Sequence, residues 1–211
     1  MDFDREKYEL HLEAARAVRG LDLSFKSIVF DPKLHPRGLD GRWRDVVGAA
    51  SRWFEMDHAV AVKGASRGQT PKLSFLDGSA ISSQKTKQIE QDASVLVAAS
   101  KGRSSHKELY RGAVAIGSKD EVEKRFSFGS VVEWDGLTAA SPDKRVAERY
   151  GDTENTGGEG ISVLYQLYDK NAIQGFDRDE LETLLPPGQQ WKVRSKRWSD
   201  GMLVVSLSPV R

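Results

Sequence analysis

The sequence predicts an α+β fold, and three features of its pattern predict it. Apolar residues recur at helical spacing in the first half of the chain. Short runs with strand-like alternation fill the second half, and glycine- and proline-containing turns separate those runs. Residues 5–18 read as an amphipathic helix, because Tyr8, Leu12, Ala15 and Val18 fall three or four apart between charges and Gly20 follows as a stop. Residues 45–54 read as a second helix, with Val46, Val47, Ala50 and Phe54 on one face and Gly48 working against it. Between them, Pro32, Pro36, Gly38 and Gly41 deny regular structure to a loop that Phe30 and Trp43 would pin. Residues 63–83, rich in Gly, Ser, Thr and Lys, read as a linker or long surface loop. Residues 84–100 read as a third helix, with Ile89, Ala93, Leu96 and Val97 as its apolar face and Gly102 at its end.

From residue 108 the period changes. Residues 108–116 read as a strand through Leu109, Tyr110, Ala113, Val114 and Ile116, and residues 130–134 as another around Val131 and Val132. Ser141, Pro142 and Asp143 open a short helix through Tyr150, with Ser141 as N-cap and Pro142 at the first helical position. Residues 152–160 form a polar loop. Residues 161–168, 182–185, 190–194 and 202–207 complete the strands, and no internal repeat is seen.

Composition narrows the function. The 211 residues suit one domain with an extension, or two small ones. Lys and Arg number 32 against 31 Asp and Glu, a net charge of +1 that argues against nucleic acid as the main partner. The absence of cysteine excludes disulfides and thiolate metal sites. His11, His35, His58 and His106 are scattered and lack metal-ligand spacing, so no metal is expected. The opening residues lack the apolar core of a signal peptide, and no apolar run approaches a membrane span.

Three segments carry chemistry. In Leu109-Tyr110-Arg111-Gly112, a permanent fork-shaped cation stands beside a backbone that a phosphate or ribose can approach closely; an exposed arginine before a turn reads the same. Gly136-Leu137-Thr138-Ala139-Ala140-Ser141 sets small hydroxyl residues at a strand-to-helix junction, where they orient a carboxylate or simply cap the helix. Glu180 and Glu182, closed off by Pro186-Pro187-Gly188, face one side of an extended strand with Leu181 turned away. Paired carboxylates of this kind gather around something cationic or reactive, and they also protect solvated strand edges.

In order and spacing, the three segments resemble the mono-ADP-ribosyltransferase family, in the branch marked by an arginine, a Ser-Thr-Ser segment and a Glu-x-Glu pair. The resemblance covers residues 84–211 and includes Val146-Ala147, Tyr150 and Trp191-Lys192-Val193. A second resemblance covers residues 30–44. Its Asp31-Pro32, His35-Pro36-Arg37 and Gly41-Arg42-Trp43 are similar to segments of phage head-associated proteins and their ADP-ribosyltransferase modules. One departure stands out: the family's first serine and its threonine fall on Ala139 and Ala140, leaving Ser141, with Thr138 one position away.

The resemblance implies a small split β-sandwich of mixed and antiparallel strands with helices at its N-terminal side. It also implies a catalytic domain over residues 84–211 and a docking or regulatory extension over residues 1–83. NAD would be the substrate, and ADP-ribose would pass to an arginine of a host protein. Glu182 would stabilise positive charge on the ribose, and Arg111 would hold phosphate or ribose. Gly112 would meet the nicotinamide amide by its backbone, Thr138 and Ser141 would line the NAD site, and Tyr150 would pack on the nicotinamide. Glu180 would orient and deprotonate the acceptor guanidinium. The loop 175–179 would recognise the target through Phe176 and Asp177. A phage origin implies a toxin carried in the virion or acting in the host cytoplasm, with a head or portal protein as a partner. Two other readings remain open: an inactive structural protein of a phage particle, favoured by the two alanines, and a transferase acting on a nucleic-acid base.

Overall fold

The computed structural model describes residues 49–50, 52, 56–69, 72–74, 78–153, 158–179 and 181–210, and of Met56 and Asp179 only the backbone. The helix expected at residues 5–18 and the loop anchored by Phe30 and Trp43 lie outside the described residues. Of the helix expected at 45–54, Ala49, Ala50 and Arg52 are described, and all three are helical. The elements are α1 (Met56–Ala65), α2 (Ser83–Ser100), β1 (Glu108–Ala115), α3 (Lys119–Arg125), β2 (Val131–Glu133), β3 (Thr138–Ala140), α4 (Lys144–Tyr150), β4 (Ile161–Tyr168), β5 (Phe176–Asp179), β6 (Glu182–Leu185), β7 (Gln190–Ser199) and β8 (Met202–Pro209). The fold is α+β.

Local chemistry explains where the helices begin. The Ser82 hydroxyl caps α2 by accepting from the Lys85 amide at 3.2 Å, and Ile89, Ala93 and Leu96 form its buried stripe. Asp92 lies buried on the same helix. It accepts from Arg52 Nε and Nη2 at 2.6 Å each, bonds to His58 Nε2 at 2.8 Å, and so ties α2 to the residues before it. The short α3 has a single buried residue, Val122, which is why periodicity misses it. Its signal is the reciprocal capping box of Ser118 and Glu121. The N-cap of α4 is Asp143, whose Oδ1 accepts from the Arg145 amide at 2.9 Å, and not Ser141 as the sequence suggests. Ser141 is drawn into strand pairing instead. Its amide donates to Tyr110 O and its carbonyl accepts from Tyr110 N, both at 2.7 Å.

The stretch read as a linker is partly structured. Lys63 to Ala65 end α1, and Leu73 bridges Ala80. Residues 176–179, in the stretch read as a loop, form β5, and 138–140 form β3. β7 runs five residues past the expected end, because its exposed, polar second half hides the alternation.

Two sheets follow. The larger has the order β1-β4-β8-β7-β2, antiparallel except for the parallel pair β4–β8; the smaller is β3-β6-β5, antiparallel throughout. Ala140 and Leu185 of the small sheet join Leu109, Val163, Leu167, Val193 and Val205 of the large one in one apolar core. On the other face of the small sheet, Leu184, Phe176 and Leu137 pack with Val62 of α1 and Ile89, Ala93 and Leu96 of α2. Ala147 of α4 packs with Leu164 and Val204 on the far face of the large sheet. Strand alternation therefore sends Leu184 and Leu185 into different cores.

Candidate active site

Arg111 sits on β1 opposite Tyr165 of β4. Its Nη1 donates to the Ala139 carbonyl of β3 at 2.8 Å, and its guanidinium carbon stands 5.6 Å from the centre of the Trp134 ring. The ring of Trp134 meets Tyr165 edge-on at 5.4 Å, so the aromatic wall against the arginine is itself held. Burial disfavours the charged form of Arg111; Tyr165 works against that effect and the neighbouring Arg67 adds to it. The Arg111 Nε is buried and has no hydrogen-bond partner among the described residues. A buried guanidinium with an unused donor is suited to an anionic ligand.

The second segment is brought against the first. Ser141 pairs with Tyr110 through the backbone, and its hydroxyl accepts from the Asp143 amide at 3.0 Å. Thr138 is buried, and its hydroxyl donates to the Gly136 carbonyl at 2.9 Å. It therefore closes its own turn, and its place opposite Leu185 turns it to the face away from Glu182. A Cβ on Gly112 would lie 1.7 Å from Ala147 O and 2.5 Å from Gly151 N, so glycine is what lets α4 rest on β1. Tyr150, expected on the nicotinamide, is 70% exposed at the end of that helix.

Glu182 opens β6, two residues from Leu184, which stands opposite Ala139. β3 thus lies between Arg111, which bonds to it, and the strand that carries Glu182. The carboxylate of Glu182 is ion-paired with Arg178 of β5, with side-chain exposures of 18% and 7%. Glu180 lies outside the described residues. Of the two residues expected to recognise the target, Phe176 faces inward and Asp177 is half-buried. Phe176 is 5% exposed within the core of α1, α2 and the small sheet. Asp177 accepts from Ser105 N and Oγ at 2.6 and 2.7 Å, and from Thr183 Oγ1 at 2.7 Å. An apolar ring belongs in that core, so Phe176 does not present itself to a partner, while Asp177 ties β5 to Ser105.

Solved structures with this architecture exist. The Vis toxin, an ADP-ribosyltransferase from Vibrio splendidus, superposes with a TM-score of 0.54 at 13% identity, covering 100% of this chain and 87% of that one. A second structure of Vis, in complex with agmatine, gives the same TM-score of 0.54 and 13% identity over 100% of this chain and 87% of the other. Its complex with the M6 inhibitor gives 0.53 and 14% over 100% and 86%. The chain has the ADP-ribosyltransferase fold. No family model and no curated protein matches the sequence.

Within this ADP-ribosyltransferase fold, sequence reasoning missed four residues around the site. Trp134 and Arg178 are described above. The other two, Lys63 and Arg67, come from α1 and the turn after it. Ser66 between them accepts from the Leu137 amide at 3.0 Å, docking this turn on the start of β3. A Cβ on Gly136 would lie 2.7 Å from Arg67 Nε and 3.0 Å from the Lys63 carbonyl, so glycine is needed for the approach. Their signal was faint: Lys63-Gly64-Ala65-Ser66-Arg67-Gly68 looks like a flexible link.

Burial, then Arg111, then Arg67 lower the Lys63 pKa to about 8 from 10.5. The folded chain binds the Lys63 proton less well than the unfolded chain, so stability rises as pH goes from about 8 towards 10.5. An anion placed among these cations reverses the penalty by favouring the charged amine. Inorganic pyrophosphate is therefore expected to raise Tm at pH 7, and the gain should shrink as pH climbs past about 8. Melting curves across pH, for the wild type and Lys63→Met, check this. A gain independent of both pH and Lys63 would contradict it. Among the described residues no cluster of His, Asp or Glu is arranged to hold a metal ion, and no helix is long and apolar enough to cross a membrane.

Proposed function

We propose that this chain is an NAD-dependent mono-ADP-ribosyltransferase that passes ADP-ribose to an arginine side chain of a protein and releases nicotinamide. The observation that carries the reading is the convergence on β3. Arg111 bonds to Ala139 from one side, and β6, which begins with Glu182, pairs with β3 on the other. Cleavage of the nicotinamide–ribose bond builds positive charge on the ribose, which a fixed carboxylate in a partly dehydrated site stabilises. Glu182 supplies that carboxylate. Arg111, whose buried Nε has no partner among the described residues, supplies donors for phosphate or ribose oxygens. The ADP-ribosyltransferase fold supports the same chemistry.

Arginine as the acceptor rests on the Glu180–Glu182 pair and on the structure of Vis with agmatine, whose guanidinium is the reactive group of arginine. Glu180 accepts the proton that keeps a guanidinium from being a nucleophile. Etheno-NAD, agmatine and cell lysate test both parts. Expected are nicotinamide release and fluorescent label on agmatine and on protein; a chain that neither turns over nor binds NAD would sink the reading. Glu180→Ala is expected to lose transfer to agmatine while NAD hydrolysis persists, and equal loss of both would overturn the division of roles. The alanines at 139 and 140 favour a second reading, a weak or inactive particle component, and the same assay separates the two.

A further inference from the structure

The pairing of β5 with β6 is irregular at one place, and that place faces Glu182. Asp177 pairs with Thr183 and Asp179 with Glu182, so two steps on β5 match one step on β6, and Arg178 is the extra residue of a β-bulge. A bulge re-aims the side chain it inserts. Here it aims Arg178 at Glu182, with which it forms an ion pair while its own side chain stays 7% exposed. An arginine is rarely buried unless it has a partner to hold.

The other side of Glu182 explains what such a partner is for. Ala139 shares a face with Leu184 and Glu182 and stands diagonally across from the carboxylate, yet a methyl group donates nothing. On β3 itself Thr138 spends its hydroxyl proton on the Gly136 carbonyl, and Ser141, past the end of the strand, accepts from the Asp143 amide. Arg178 offers a donor fork that stays charged at any working pH.

We infer that Arg178 is a positioning residue for Glu182, holding its carboxylate oriented in place of a hydroxyl donor on β3. The catalytic part of this inference rests on the transferase reading above. It assigns the basic residue of an otherwise acidic run, Asp177-Arg178-Asp179-Glu180, to the reaction centre rather than to the protein surface. It also explains how a chain with alanines at 139 and 140 can keep a working glutamate.

Three variants and one double-mutant cycle test it. Arg178→Gln is expected to lower the turnover number for NAD hydrolysis on the order of 100-fold, the scale at which misplacing a reacting group acts, with KM for NAD little changed. Arg178→Lys should fall between the glutamine variant and the wild type, because it keeps the charge without the fork. Adding Ala139→Ser to Arg178→Gln should restore part of the loss by returning a donor to that face. A purely structural arginine would instead lower the folded fraction in each variant, leave turnover per folded molecule unchanged and gain nothing from the serine. Turnover equal to wild type in Arg178→Gln, or a lysine variant no better than glutamine, overturns the proposal.

The cycle reads Tm and does not depend on activity. Arg178→Gln and Glu182→Gln are each expected to lower Tm, and the double variant should lose clearly less than the two losses together, because either change already breaks the pair. Losses that simply add overturn the pairing. A chain that cleaves no NAD in any form fails the transferase reading, while the cycle still decides whether Arg178 holds Glu182.

Discussion

Glu182→Gln is expected to reduce both NAD hydrolysis and ADP-ribose transfer by about three orders of magnitude, the scale at which removal of a preorganised electrostatic group acts. Glutamine has nearly the same shape and keeps an acceptor oxygen, so what it removes is charge. The ribose then develops its positive charge with no carboxylate to meet it. The structure adds a second consequence, since the same substitution takes away the counter-charge of Arg178, whose side chain is 7% exposed. Losing a charge-assisted bond while keeping a neutral one is worth about 1–3 kcal/mol. For a chain of this size that amounts to a Tm lower by roughly 2–12 °C. Turnover is therefore to be measured well below the variant's melting point, alongside a melting curve. Undiminished nicotinamide release from a folded variant would remove Glu182 from the reaction.

Gly112→Ala is expected to be the most damaging single-methyl change near the site. Its Cβ would stand 1.7 Å from a backbone oxygen of α4 and 2.5 Å from a backbone nitrogen just past it. Neither can swing aside as a side-chain tip can, so β1 and α4 must separate. Ala147 would then leave Leu164 and Val204. The expected cost is about 3 kcal/mol or more, at the top of the range for overpacking, and so a Tm lower by about 6–12 °C. Arg111, next in the strand, shifts with it, so activity falls too. Gly64→Ala in α1 is the control. Its nearest neighbours are side-chain atoms of Gln69 at 3.4 and 3.9 Å, and alanine is the better helix former by about 0.5–1 kcal/mol. A Gly112→Ala protein that melts with the wild type would mean that α4 does not rest on β1.

How much of this could be read beforehand depended on whether a residue's chemistry is local. Helix α2 and strands β1, β4, β6 and β8 were legible because one face of each is apolar at the right period. Helix α3, with one buried residue, and the three-residue β3 gave periodicity too little to work with. Arg111 and Glu182 are singled out by the resemblance that the order and spacing of the three segments carry. Family analogy places Phe176 among the target contacts, whereas strand alternation turns it inward beside Leu184.

By itself the sequence determined the α+β class, the order of the three segments and the identity of the residues able to hold an anion or stabilise a cation. Those follow from periodicity and from side-chain chemistry, which travel with the residue. Only the tertiary structure decided which of them meet. It hung Arg111 on Ala139, docked Ser66 on Leu137 beside Lys63 and Arg67, and used a bulge to turn Arg178 onto Glu182. Each of these contacts joins strands or turns through a register and a close backbone approach. Register and approach are set by packing across the whole domain and leave no periodic trace in the local sequence.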